Sequence, residues 1–199
     1  MRAIDLHDST RDLMCPVCRS CTWWQTRPGE RGDDELRLTW ERQVETENGF
    51  FGRALLEGDA VIGWMHVAPG GLLRRARHLP AGPPSRDAYL LTCAYFYDEE
   101  YLNGFQQLLQ EIEYALKHRE VPALEAFAAN EVDPRDRFRG YLRELNLFNP
   151  QVLEGNGFRV VRRGPGVDRY RLDLSTLIAT PRESRLWEKL KTHPAAQPI

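Results

Sequence analysis

The sequence has no strong excess of charge of either sign. Its 199 residues carry 27 lysines and arginines against 29 aspartates and glutamates, which gives a net charge of −2 at pH 7. Such a chain lacks the sequence-independent attraction to phosphate backbones that a basic protein has. We therefore do not expect nucleic acid as a partner.

Long apolar segments are absent as well. No stretch approaches the roughly 18 apolar residues that span a bilayer, and the first residues, MRAIDLHDSTRD, lack the basic start and apolar centre of a secretion signal. Four cysteines also make a sparse framework for a disulfide-stabilised secreted protein and suit a reducing compartment better. These absences predict a cytoplasmic protein with no membrane partner.

Three of the four cysteines are close together in the segment CPVCRSC. Cys15, Cys18 and Cys21 form two overlapping C-x-x-C spacings, each of which is half of a tetrahedral zinc site. His7 is the nearest further ligand in the sequence, so a zinc site made of these four residues is one interpretation. No second separate C-x-x-C follows, and buried or free thiols are the interpretation that we favour. An oxidation-sensitive pair is a third alternative.

The apolar pattern predicts alternating strands and helices in one domain. The first predicted elements are a strand at 2–6, a short helix capped by Asp8 or Ser9, a helix from Asp33 or Asp34 to Asn48, and a hairpin of 50–56 and 60–68. Residues 87–97 are apolar on both alternating faces, as a strand is when both sides of its sheet are covered. We expect that strand to be central.

The second half of the chain continues with a strand–helix–strand pattern. The predicted elements are a helix with an apolar stripe from Phe105 to Leu116, a strand at 121–128, a helix from Asp133 that runs to Asn149, and a hairpin from Phe158 to Leu174. The remaining residues, 175–199, contain a further predicted helix, ESRLWEKLK. Such a terminal segment is expected to be a loose extension.

This order of elements, together with several short motifs, resembles one superfamily. Over residues 50–174 the chain resembles the GCN5-related N-acetyltransferases, the GNAT superfamily. The segments that carry the resemblance are VIGWMHVAP (61–69), LLTCAYF (90–96), ALEAFA (123–128), LEGNGFRVVRR (153–163) and YRLDL (170–174), with CPVCRSCTWWQ (15–25) similar to a leading segment in one group of these proteins.

The resemblance implies a mixed, mostly antiparallel α/β sheet flanked by helices, with a splayed central strand pair. Residues 1–49 would belong to the same domain as the core at 50–174, and residues 175–199 would extend it. The resemblance also implies acetyl-CoA as a co-substrate. In this superfamily the backbone of the central strand pairs with the pantetheine arm, and the next helix start binds the diphosphate. The positions implied here are Tyr95, Phe96, Tyr97, Asn103, Gly104 and Phe105.

The segment before the predicted helix differs from the loop of that superfamily. The resembled loop has the form Gln/Arg-x-x-Gly-x-Gly/Ala, and in this chain Glu100, Asn103 and Phe105 stand at its three marked positions. Asp98 and Glu99 add two further carboxylates. The alternative interpretation is structural: Asp98 or Asn103 caps the helix, and the carboxylates interact favourably with the helix dipole.

Candidates for proton transfer are scattered in the sequence. The resembled proteins often have a tyrosine before the closing Gly-Phe pair to protonate the leaving thiolate, and Leu153 stands at that position here. Tyr141, on the preceding predicted helix, is the candidate acid. Glu125, on a predicted strand, is the candidate base through a water, with a solvated structural carboxylate as the alternative. His66 is a further candidate of the same kind.

The sequence thus leads to two functional hypotheses. The first is an acetyl-CoA-dependent N-acetyltransferase that acts on a small amine or a protein amine. The second is a domain of the same fold without catalysis, which would bind a ligand or another protein and could form a homodimer.

Overall fold

The structure is a computed structural model that describes residues 1–98, 102–136 and 139–177. Glu99, Glu100 and the predicted helix ESRLWEKLK lie outside the described residues. Among the described residues, no helix has the length and apolar character needed to cross a membrane.

Nine strands form one sheet in the described part of the chain. They are β1 (Arg2–Leu6), β2 (Gly52–Glu57), β3 (Ala60–Pro69), β4 (Ala88–Phe96), β5 (Ala123–Ala129), β6 (Tyr141–Leu142), β7 (Leu147–Phe148), β8 (Arg159–Arg162) and β9 (Val167–Asp173). Strands β1 to β4 are antiparallel neighbours in chain order, β5 is parallel to β4, and β9 is antiparallel to both β5 and β8. The sheet is therefore mixed and mostly antiparallel, as predicted.

Among the described residues, four α-helices cover the two faces of this sheet. They are α1 (Pro16–Ser20), α2 (Asp34–Asn48), α3 (Leu102–Lys117) and α4 (Pro150–Gly155). The apolar stripe of α3 and Leu153 of α4 pack on one face with Leu91 and Leu124. The N-terminal segment and α2 cover the other face, where Trp24, Trp64 and Phe127 are buried.

Local sequence signals account for the ends of α2. The Asp33 carboxylate accepts a hydrogen bond from the backbone N–H of Leu36 at 2.8 Å, which satisfies one of the donors that a helix start leaves unpaired. At the other end Gly49 has φ of 80°, a left-handed conformation that glycine adopts without steric cost. This helix has the bounds that the sequence predicted.

The central strand pair separates after a short parallel ladder. Residues Ala88–Leu91 of β4 pair with Ala123–Ala126 of β5, and the ladder ends there although both strands continue. On its other side β5 remains paired with β9 along its whole length. A space therefore opens between residues 92–96 of β4 and 127–129 of β5, and we call this space the wedge.

The prediction of a helix from Asp133 to Asn149 is wrong. The described residues of this segment form a short 3-10 turn at Pro134–Asp136 and then the two-residue strands β6 and β7. Asn146, between these strands, has φ of 55° and turns the chain back. Tyr141 and Phe148 pack against each other and are buried, so tertiary burial outweighs the helical spacing of the apolar residues.

Two predicted helix caps differ from the structure. The N-terminal short helix is a 3-10 helix at Asp8–Leu13 with His7 as its cap residue, rather than Asp8 or Ser9. Asn103 lies inside α3, which begins at Leu102, so it does not cap that helix.

Glu113 generates a prediction about stability. It lies in the buried stripe of α3, and burial raises the pKa of its carboxyl from the ordinary 4.5 to about 7. Between these two values the unfolded chain releases the proton while the folded chain keeps it, so stability falls as pH rises. Glu113→Gln should stabilise the protein at pH 8 by about 3 kcal/mol, the order expected for such a shift.

Chemical denaturation of both proteins at pH 4 and pH 8 measures this effect. At pH 4 the glutamate is already neutral in both states, so the variant and the parent protein should have similar stabilities. An equal gain at both pH values would contradict the assignment, because it would reflect packing rather than charge.

Candidate functional site

A cavity of about 360 Å³ lies between the N-terminal segment and the second half of β4. Three kinds of side chain surround it: thiols, aromatic rings and a few polar or cationic groups. We call it the cysteine cavity. Its lining residues are Cys15, Val17, Cys18, Cys21, Trp24, Gln25, Arg37, His66, Cys93, Ala94, Tyr95, Tyr141, Arg143 and Asn146.

The hairpin of β6 and β7 lies in the wedge beside this cavity. Phe148 of β7 pairs in parallel with Ala128 of β5. From β6, the Tyr141 hydroxyl donates a hydrogen bond to the carbonyl of Thr92 at 3.1 Å. The Arg143 guanidinium donates to the carbonyl of Phe96 at 2.6 Å. The hairpin therefore links both strands and satisfies two carbonyls of β4 beyond the parallel ladder.

A buried ion-pair network holds the N-terminal wall of the cavity. Both oxygens of the Glu41 carboxylate are engaged, one by Arg37 Nε at 2.7 Å and the other by Arg11 Nε at 2.6 Å. The same Arg37 donates to the carbonyl of Cys21 at 3.2 Å. Because Arg37 and Glu41 have side chains that are only 4% exposed, the network fixes α2 and the cysteine segment against each other.

His66, on β3, lines the cavity from within the core and is 2% exposed. Arg37 Nη2 lies 3.4 Å from its Nε2 atom. Burial, followed by the positive charges of Arg37 and Arg11, lowers the pKa of His66 well below its usual range. The imidazole is therefore neutral at physiological pH, which makes it a poor acceptor for a proton.

All four cysteines of the chain line the cavity, although one is distant in sequence. Cys93, on β4, meets Cys15, Cys18 and Cys21 there. Burial raises the pKa of the Cys93 thiol to about 11, and burial together with the nearby sulfurs raises that of Cys18 as well. Because Cys93 lies far along the chain from the other three, no sequence spacing indicated that it belongs to this cluster.

The structure does not bring His7 to the cysteines as a fourth zinc ligand. The Nδ1 atom of His7 is instead 3.0 Å from the Ser9 hydroxyl, and His7 is not among the residues that line the cavity. Within the described ranges, no three histidine, cysteine or acidic side chains are arranged to hold a metal ion.

The residues implied for pantetheine binding lie at the end of β4. Tyr95 stacks on Trp64 with 4.3 Å between ring centroids, and the Arg143 guanidinium lies 3.8 Å from the centre of the Tyr95 ring. The Tyr97 amide donates to the carbonyl of Ile62 on β3 at 3.1 Å. The carbonyl of Phe96 is the one that accepts from Arg143. Several backbone groups of this segment therefore already have protein partners.

The residues implied for diphosphate binding form the first turn of α3. Asn103 is exposed, whereas Gly104 and Phe105 are buried, and Phe105 packs on Phe96 and Phe148. The first four N–H groups of any α-helix have no partner within the helix. The backbone of Asn103, Gly104 and Phe105 therefore offers donors at the end of the wedge nearest to α3.

Glu125 has a structural environment rather than that of a solvated base. It is completely buried, and it accepts hydrogen bonds from the backbone N–H and the hydroxyl of Ser85 at 3.0 and 2.6 Å. Arg169 and Arg171 of β9 each approach its carboxylate at 3.6 Å. Glu125 does not line the cysteine cavity. The expectation of a solvated carboxylate is thus wrong, and a base role through water loses its support.

Tyr141, like His66, is a catalytic candidate from the sequence that lines the cavity. It is 8% exposed, and burial and the nearby Cys93 raise the pKa of its phenol well above the usual range. The phenol therefore keeps its proton at neutral pH. Its position on β6, rather than on a helix, brings the hydroxyl to the edge of β4.

No protein-family model and no curated protein matches this sequence. Solved structures do match, and they show that the chain has the fold of the GNAT acetyltransferases. Aminoglycoside 6'-acetyltransferase type Ii is 12% identical, with a TM-score of 0.53 over 91% of this chain and 100% of its own.

Two further matches have the same fold. The ribosomal-protein-S18-alanine N-acetyltransferase of Escherichia coli is 12% identical, with a TM-score of 0.51 over 90% of this chain and 97% of its own. The protein yncA of Salmonella typhimurium, whose structure contains acetyl-CoA, is 11% identical, with a TM-score of 0.52 over 91% of this chain and 98% of its own. At these identities the similarity establishes the fold alone.

The environment of Glu125 leads to a second stability prediction. Glu125→Gln removes the charge that balances two arginines in a buried place, so it should destabilise the protein by about 3 kcal/mol, the cost typical of a broken buried ion pair. Thermal unfolding should then occur roughly 6 to 12 °C lower for a chain of this size. As a matched control, Asp59→Asn removes a fully exposed carboxylate and should leave the melting temperature unchanged. Equal melting temperatures for both variants would refute the structural role of Glu125.

Proposed function

We propose that this protein is an acetyl-CoA-dependent N-acetyltransferase whose reacting groups meet where the wedge borders the cysteine cavity. The observation that carries this proposal is the early end of the parallel ladder between β4 and β5 beside a cavity that Tyr141 lines. A strand that loses its neighbour can accept another extended chain as a partner through backbone hydrogen bonds. The acetyltransferases with the same fold support the assignment of this space to a co-substrate.

The first turn of α3 supports a place for the diphosphate. The N–H groups at a helix start, which have no partner within the helix, and the partial positive charge there attract an anion. The benefit is roughly 0.3 to 1 kcal/mol. Carboxylates near the helix start oppose it, because two unit charges about 4 Å apart repel by about 1 kcal/mol in water and more where they are shielded from it. Cofactor affinity is therefore the quantity that decides this proposal.

In this proposal Tyr141 protonates the sulfur that leaves. A proton donor must keep its proton until the thiolate forms, and this phenol does so at neutral pH because burial raises its pKa. The same shift makes the phenol a weaker acid, so its position rather than its acid strength supports the role. The hydroxyl already donates to the Thr92 carbonyl on the strand edge, which fixes its position near the wedge.

A second candidate function is a ligand-binding or protein-interaction domain without catalysis. The observation that favours it is the β6–β7 hairpin, which already bridges the wedge through Phe148, Tyr141 and Arg143. If the hairpin stays in this position, an extended co-substrate has no free strand edge at Thr92 and Phe96.

Thermal unfolding with and without acetyl-CoA separates the two candidates. At a concentration of 100 times the dissociation constant, binding should stabilise the protein by about 2.7 kcal/mol, or roughly 5 to 10 °C in melting temperature. Dephospho-CoA, which lacks the 3'-phosphate and the acetyl group but keeps the pantetheine arm, and free adenosine, which lacks the arm and all phosphates, serve as comparison ligands. They report whether the arm and diphosphate or only the adenosine contributes to binding. No shift at millimolar acetyl-CoA would reject the acetyltransferase and leave the binding domain.

Tyr141→Phe tests the assigned proton donor. We expect kcat for acetyl transfer to fall by about 10-fold to 1000-fold, within or near the range for a lost general acid. The stability loss should be only about 1 kcal/mol, the usual cost of one hydrogen bond. Tyr114→Phe is the matched control, because Tyr114 is exposed on α3, does not line the cavity and is not one of the implied cofactor-binding residues. Unchanged turnover in Tyr141→Phe would show that this phenol is not the acid.

A further inference from the structure

The walls of the cysteine cavity are mostly apolar and partly aromatic. Trp24 stacks on Phe127 behind it, and Tyr95 is held flat against Trp64. Thiols contribute much of the remaining wall, and sulfur makes favourable contacts with aromatic rings. The cavity is therefore suited to a flat, apolar molecule of modest size.

The charged groups that line the cavity are cationic. They are the guanidinium groups of Arg37 and Arg143, and none of the described lining residues is an aspartate or a glutamate. Arg37 is balanced by Glu41, which lies behind it and does not line the cavity. An ammonium group that entered would lose its water without gaining a carboxylate partner, and this desolvation is costly.

The lining groups whose pKa values are shifted are also unsuited to take a proton from an ammonium ion. His66 keeps its imidazole neutral because burial and two arginines lower its pKa. The pKa values of Cys18, Cys93 and Tyr141 are raised, so these groups keep their protons at neutral pH. A positively charged acceptor would have to lose its extra proton before it enters.

A neutral amine needs no such base. Its nitrogen lone pair forms the new C–N bond to the acetyl carbon while the C–S bond of the thioester breaks and sulfur takes the electron pair. The single proton that the nitrogen then loses balances the proton that sulfur gains, with Tyr141 able to relay it. The products are an amide and a free thiol, and no further reactant is required.

We infer that the acceptor is a weakly basic aromatic amine, which is uncharged at neutral pH and binds in the cysteine cavity. This inference rests on the proposed acetyl transfer for the reaction, but the binding preference of the cavity can be measured without acetyl-CoA. Alkylamines of the same size, which are cationic at neutral pH, should be poor ligands.

Three small ligands distinguish the effect of ligand charge on binding from the effect of ligand shape. 4-Methylaniline and benzylamine are isomers, the first neutral and the second cationic at pH 7, and benzyl alcohol is a neutral mimic of benzylamine. Calorimetric or ligand-observed NMR titration at pH 7 should show that 4-methylaniline and benzyl alcohol bind with similar affinity. Benzylamine should bind about tenfold more weakly, because it carries a charge that the cavity does not compensate.

Two variants test whether 4-methylaniline binds in the cysteine cavity. Cys18→Phe puts a ring into the cavity from α1, and it should abolish binding of 4-methylaniline. Val161→Phe adds the same ring to an exposed position of β8 and should leave binding unchanged. Circular dichroism of both variants verifies that they fold. If the Cys18 variant does not fold, competition between 4-methylaniline and benzyl alcohol for one site provides the second measurement.

The outcomes distinguish the inference from the proposed function. Benzylamine that binds as tightly as benzyl alcohol, or failure of all three probes to bind at millimolar concentration, overturns the inference whether or not acetyl-CoA binds. Selective binding of 4-methylaniline without any acetyl-CoA shift supports the cavity assignment and rejects the transferase. With acetyl-CoA bound, acetylation of 4-methylaniline at a rate at least about tenfold above that of benzylamine supports both.

Discussion

The parallel ladder between β4 and β5 is the constraint on which the rest of the structure depends. It ends after Leu91 and Ala126; beyond that point β4 stays paired with β3, while β5 stays paired with β9 and takes β7 as a further neighbour at Ala128. Backbone groups in the wedge must still find partners, since an unpaired buried carbonyl costs about as much as a lost hydrogen bond. Tyr141 and Arg143 supply two of them. The cavity, the position of the candidate acid and the presence of the hairpin where a co-substrate is proposed to bind all follow from this separation.

Two buried carboxylates link the chain segments that surround the wedge to one another. Glu41 joins Arg11 to Arg37 and fixes the N-terminal wall, while Glu125 joins β5 to β9 and to Ser85. A buried carboxylate with two arginine partners contributes geometry more than net stability, because desolvation offsets much of its attraction. Because the carboxylates of Glu41 and Glu125 are both paired with arginines, neither is available to remove a proton from a substrate. The electrostatics of the scaffold therefore limit the chemistry of the site.

Much of the fold could be predicted because its signals are local. Asp33 and Gly49 bound α2, a two-sided apolar run marks β4, and the apolar stripe of α3 has helical spacing. The predictions failed where contacts between residues far apart in the chain determine the local structure. Tyr141 has helical spacing with its neighbours, but its burial against Phe148 produces a strand. The sequence pattern around Glu125 is that of a solvated strand residue. Only the structure shows that Ser85 and the arginines of β9 surround its carboxylate.

By itself, the sequence determined the order of most of the main elements and the resemblance to the GNAT superfamily, because these depend on periodicity and short motifs. Only the tertiary structure decided that Cys93 meets the N-terminal cysteines and that the β6–β7 hairpin lies in the wedge. It also decided that His66 is neutral. These properties arise from contacts between residues far apart in the chain and from the burial that those contacts create, and no local pattern encodes either one.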